Sequence, residues 1–92
     1  MWADANTRRA LLGSAEAGQA ACVAEHALGA LANLAAGNNN SRAMWADAET
    51  RSVLLAATAS TQPECVRDNA LRALSNLAMD PRNRQSMGLE PT

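Results

Sequence analysis

The chain repeats itself. Met1-Trp2-Ala3-Asp4-Ala5 returns as Met44-Trp45-Ala46-Asp47-Ala48, and the same offset of 43 residues carries Thr7, Arg8, Leu11 and Leu12 onto Thr50, Arg51, Leu54 and Leu55. Further along it carries Cys22-Val23 onto Cys65-Val66, Ala27-Leu28 onto Ala70-Leu71, Ala30-Leu31 onto Ala73-Leu74, and Asn33-Leu34-Ala35 onto Asn76-Leu77-Ala78. With Gln19/Gln62 and Asn40/Asn83, 20 of 43 aligned pairs are identical without a gap. A period between about 20 and 50 residues marks an array of like supersecondary units, each of which buries its apolar face only against a neighbour. The 92 residues divide into a unit at 1–43 whose first helix is incomplete, a unit at 44–86, and the start of a third at 87–92.

Composition decides what the units are made of. The chain has 22 Ala and 11 Leu against 3 Val and no Ile, Phe or Tyr, which favours helices, because Ala and Leu lose little rotamer freedom in a helix while strands draw on β-branched and aromatic residues. The repeated positions also fall on helical spacing. Val66, Ala70, Ala73, Leu74 and Leu77 form one apolar stripe with Arg67, Asp68, Arg72 and Ser75 off it. This predicts a long helix over 63–79, begun by Thr61 as cap with Glu64 closing a capping box and Pro63 in the first turn, and ended before Pro81. Its counterpart is expected over 20–36, stopped by Gly37-Asn38-Asn39-Asn40. Between them Ser41–Ala46 reads as a short helix that turns Met44 and Trp45 inward. Asp47 is the bend and cap, and Ala48–Ala59 is a medium helix whose bulky residues are Val53, Leu54 and Leu55. Each unit is thus short, medium, long.

Charge and motif content narrow the function. Eight Arg, no Lys, four Asp and five Glu are dispersed and sum to −1, so no strong field of one sign is expected and nucleic acid is not an expected partner. The apolar runs are far shorter than the roughly 18 residues that a bilayer requires, and the N-terminus has no signal-peptide pattern. A chain outside the membrane, in the cytoplasm or nucleus, is expected. Two Cys and one His do not complete a four-ligand zinc site, so neither metal nor cofactor is expected, and Cys22 and Cys65 read as small core residues. Trp2 and Trp45 read as apolar anchors of the short helix. No nucleophile–base pair, phosphate-cradling glycine loop or facing carboxylate pair is present, so catalysis is not expected.

Ala27-Leu28-Gly29-Ala30-Leu31-Ala32-Asn33-Leu34-Ala35 and Ala70-Leu71-Arg72-Ala73-Leu74-Ser75-Asn76-Leu77-Ala78 resemble the third helix of the armadillo repeat, A-L-x-A-L-x-N-L-A. Asn83-Arg84-Gln85-Ser86-Met87 resembles the N-R-Q-A-I start of that family's first helix. The resemblance covers essentially the whole chain. It implies an all-α fold, a right-handed α-solenoid of armadillo type built from two three-helix repeats. The family's glycine between its first two helices is replaced by Asp47-Ala48. Gly29 and Arg72 stand where importin-like members carry a Trp four residues before the Asn, so a basic signal segment has little to hold it.

By this resemblance Asn33 and Asn76 are two rungs of an Asn ladder on a concave groove, each carboxamide bonding the C=O and N–H of an extended peptide. The other reading of these two is that each bonds a neighbouring element and only fixes the stacking of repeats. His26 with Gly29, and Asn69 with Arg72, precede the two Asn by seven and four residues and share their helical face. They would line the groove, with Arg72 favouring an acidic or phosphorylated segment or else standing as a solvated arginine. Two functions from different classes follow: a protein-interaction module that binds an extended protein segment, and a structural or self-assembling solenoid piece with no peptide guest. Because neither end carries a polar capping repeat, the chain is expected to be part of a longer solenoid or a homo-oligomer.

Overall fold

In the computed structural model the described residues are 4–16 and 19–88, and the expected roles of Met1 and Trp2, like the tail 89–92, lie outside them. Six helices follow one another: α1 Ala5–Ala15, α2 Ala21–Ala35, α3 Asn38–Ala46, α4 Ala48–Ala57, α5 Glu64–Leu77 and α6 Pro81–Met87. Every described element is helical. The starts of α1 and α4, of α2 and α5, and of α3 and α6 are each 43 residues apart, so the period of the sequence is also the period of the helices.

Local chemistry sets most of the boundaries. Asp4, Asp47 and Asp80 are the N-caps of α1, α4 and α6. Their carboxylates accept the Asn6 and Thr7 amides, the Glu49 amide and the Arg82 amide respectively, satisfying donors that a helix start leaves open. Asp47 also accepts the Thr50 hydroxyl at 2.9 Å, which explains how a bend without glycine is held. Two expected boundaries are corrected. Thr61 does not cap α5: Pro63 occupies the N-cap position with no side-chain bond, because its fixed φ already starts the helical turn. Gly37-Asn38-Asn39-Asn40 follows the end of α2 as expected, but the short helix begins earlier than Ser41. Gly37 is the N-cap of α3, with Asn38 its first helical residue, and only Ala36 and Gly37 separate α2 from α3.

The long helices α2 and α5 make the most extensive packing in the molecule. Helix α1 lies against α2, α4 against α5, and α1 against α4, which gives a two-by-two array with α3 bridging to α2, α4, α5 and α6. Val66, Ala70, Ala73 and Leu77 are buried as their spacing predicts, and Leu12, Leu28, Leu31, Met44 and Leu54 are the other large residues almost wholly removed from solvent. Eight of the sixteen buried apolar residues are Ala, so helix axes can approach closely and few side chains carry most of the burial. Of the three bulky residues of α4, Val53 and Leu54 are buried and Leu55 is 54% exposed. Cys22 and Cys65 are corrected as well: both are exposed free thiols, since each precedes its helix's buried stripe by a residue or more and is rotated away from it, about 100° per residue.

At the junction of the units Arg42 Nε donates to Asp80 Oδ2 at 2.7 Å, tying α3 to the start of α6. Burial of the carboxylate pushes the Asp80 pKa up, but the bonds from Arg42 and from the Arg82 amide outweigh it and hold the group below its ordinary value. A carboxyl whose pKa drops on folding stabilises the fold above its unfolded-state pKa and loses that contribution as pH falls through the folded-state value. The melting temperature is therefore expected to fall below about pH 4. Asp80→Asn should melt lower than wild type at neutral pH and lose part of this acid dependence. Thermal melts at neutral pH and about pH 3 check it.

Candidate functional site

Five of the six residues singled out by sequence come together. His26, Gly29 and Asn33 from α2 and Asn69 and Arg72 from α5 line one open groove of about 470 Å³, with Glu25 and Ala30 completing its walls. They meet because 26, 29 and 33 recur at three- and four-residue steps along α2, and the α2–α5 packing sets Asn69 and Arg72 beside them. Gly29 forms the floor. A Cβ there would sit 3.6 Å from Arg72 Nη2 and 4.0 Å from Asn69 Nδ2, an ordinary contact, so the glycine provides space rather than an unusual backbone angle. His26, Asn33 and Arg72 are exposed. Arg72 has no ion-pair partner among the described residues.

Asn76 does not line the groove. Its Nδ2 donates to the Ala32 carbonyl at 2.8 Å, and Asn69 Nδ2 donates to the Glu25 carbonyl at 2.9 Å, so two carboxamides on α5 reach across to the backbone of α2. Ala32 lies in the last turn of α2, where the Ala36 amide bonds the Asn33 carbonyl three residues back. Such tightening leaves a carbonyl in need of an outside donor. Each of these amides keeps one N–H and its carbonyl oxygen for other partners. Asn33, the repeat equivalent of Asn76, makes no side-chain hydrogen bond among the described residues.

A second concavity, of about 530 Å³, was not foreseen. It is lined by Arg42, Trp45, Arg51, Leu55, Arg82 and Asn83, among others. Arg51 is fixed there: its Nη1 donates to the Trp45 carbonyl at 2.7 Å, and its guanidinium lies 5.9 Å from the centre of the Trp45 ring. The recurrence of Trp, Arg and Asn at the 43-residue offset was the available signal, but nothing local says that three elements converge on one hollow. Comparison with family models, with curated proteins and with solved structures finds no match.

Among the described residues no three potential metal ligands cluster, and no helix is long and apolar enough to cross a membrane. The α2–α5 groove offers exposed amide and imidazole groups and one exposed guanidinium over a glycine floor. Those groups can donate and accept hydrogen bonds and offer one positive charge.

Proposed function

We propose that the chain is a protein-interaction module of armadillo type, a two-repeat segment of α-solenoid whose α2–α5 groove takes an extended acidic or phosphorylated protein segment, with neither catalysis nor a cofactor. The observation that carries this reading is the unpaired Arg72 guanidinium beside Asn33, Asn69 and His26 over the Gly29 floor. A guanidinium forms short, charge-assisted bonds to carboxylate or phosphate, while the carboxamide of Asn33 bonds a guest backbone whatever its side chains. Matched acidic and basic peptides titrated by calorimetry test it. The acidic peptide is expected to bind more tightly to the wild type, and Arg72→Glu to reverse the order. An unchanged preference would remove the groove from consideration.

A second reading, a structural solenoid piece without a guest, is favoured by the two α5 carboxamides that bond the backbone of α2. Two substitutions separate the readings. Asn76→Ala is expected to lower unfolding free energy by about 1 kcal/mol, the net worth of an ordinary hydrogen bond. Asn33→Ala is expected to leave stability unchanged and to weaken peptide binding about fivefold. Loss of stability in Asn76→Ala with no binding effect in Asn33→Ala favours the structural piece.

A further inference from the structure

Comparing each residue with its partner 43 positions away separates what a unit buries by itself from what it buries against its neighbour. Leu12, Leu28 and Leu31 of the first unit, with Met44 at its boundary with the second, are 1%, 0%, 0% and 0% exposed. Their equivalents Leu55, Leu71, Leu74 and Met87 instead line an open, largely apolar hollow of about 520 Å³, with Leu55 54% and Leu71 56% exposed. The first unit's residues are covered because the second unit lies on them. The mirror comparison holds at the other side. Val66 is 2% exposed, whereas its equivalent Val23 is 42% exposed and lines an apolar groove with Ala10, Leu11 and Ala27; Ala27, the equivalent of Ala70, stays buried at 6%.

The molecule therefore carries, on opposite units, the two halves of the interface that joins its own units. We infer that a second copy of this chain docks head to tail, the α1–α2 face of one copy covering the α4–α5–α6 face of the next and repeating the contact of α2 with α5. The occupant is identified by continuity with the intrachain interface: among the described residues the surface that covers Leu12, Leu28, Leu31 and Met44 is the leading face of the second unit, and the first unit presents its repeat equivalent. The polar contacts have counterparts too. Asn76 donates to the Ala32 carbonyl, and in the stacked pair Asn33 of one copy meets the Ser75 carbonyl of the other. Such a contact is heterologous, so it leaves one face of each kind open and propagates. Stacking does not depend on what the groove binds.

Sedimentation equilibrium of the 92-residue chain from micromolar to near-millimolar concentration, together with two blocked variants, tests this. The wild type is expected to give a mass that climbs with concentration beyond a dimer. Leu71→Arg blocks one face and Val23→Arg the other; both positions are exposed, and circular dichroism verifies that the helices persist, with Leu55→Arg and Ala10→Arg as replacements if either variant fails to fold. Each variant alone is expected to associate at least tenfold more weakly and to run as a monomer. An equimolar mixture of the two is expected to form a closed dimer of twice the 9.6 kDa chain mass, because each supplies the face that the other lacks. A wild type that stays monomeric throughout, a mixture that stays monomeric, or one variant that still dimerises alone while the other does not would overturn the head-to-tail arrangement.

Discussion

Leu28→Ala is expected to cost about 2–5 kcal/mol of folding stability, and Leu71→Ala, the same substitution at the equivalent position of the second repeat, less than about 0.5 kcal/mol. The two residues share helix type and distance from the helix start, and the same Leu→Ala change is made at both, so its intrinsic helix-propensity effect cancels even though Gly29 follows one and Arg72 the other. What differs is cover: Leu28 is 0% exposed and Leu71 56% exposed. Deleting the buried side chain forfeits its transfer free energy and leaves a cavity, whereas deleting the exposed one removes little from contact. Because half of the buried apolar residues are alanines, the few leucines carry a large share of the burial. For a domain of this size total stability is about 5–14 kcal/mol, so a loss of about 2–5 kcal/mol is at least about a seventh of it. Urea unfolding at a chain concentration too low for association reads both values. Equal losses at the two positions would mean that the second unit does not shield the first as described.

The second large effect is expected at Asn83. Its side chain is 4% exposed, and its Nδ2 donates to the Leu77 carbonyl at 2.9 Å, the Ser41 hydroxyl at 3.0 Å and the Ser41 carbonyl at 3.2 Å. One amide thus joins the end of α5, the start of α6 and helix α3. Asn83→Ala leaves buried acceptors without their donor, at a cost of about 1–3 kcal/mol. Asn83→Asp is nearly isosteric but replaces the donor with a carboxylate oxygen facing two carbonyl oxygens. It is expected to be the less stable of the two at neutral pH and to recover part of the difference as acid protonates it. Denaturant midpoints at neutral and mildly acidic pH give the order. Asn83→Asp matching the wild type at neutral pH would show that the amide is not the donor that holds these helices.

Much of the fold was legible because it is local. The aspartate at 47 announces a helix start, Pro81 closes the preceding helix, and the stripe from Val66 to Leu77 marks the buried face of α5, all within a few turns of chain, whereas the capping role of Asp80 emerged only in the structure. The errors arose where a local signal has two uses. Gly37 followed by three asparagines ends α2 as read, but it also starts α3, three residues before the expected Ser41, and the packing of α3 on α2 and α4 favours that earlier start. Thr61 has a capping side chain, but Pro63 takes the N-cap position and α5 starts without a side-chain cap. The cysteines recur in register with apolar neighbours, yet their rotation about the helix axis turns them to solvent.

The candidate site divides in the same way. That residues 26, 29 and 33 share one face of a helix follows from helical geometry, and so does the pairing of 69 with 72. That the two sets close one groove over Gly29, and that Asn76 turns its amide to the Ala32 carbonyl instead, required α5 to lie against α2. Sequence by itself determined the helical fold class, the Asp47 cap and the 43-residue period, because those depend on side chains within a few residues of one another and on their recurrence. Only the tertiary structure decided which of two identical leucines is core and which is surface, since burial is a property of what lies opposite a residue, and in a repeat the residues are the same while the neighbours are not.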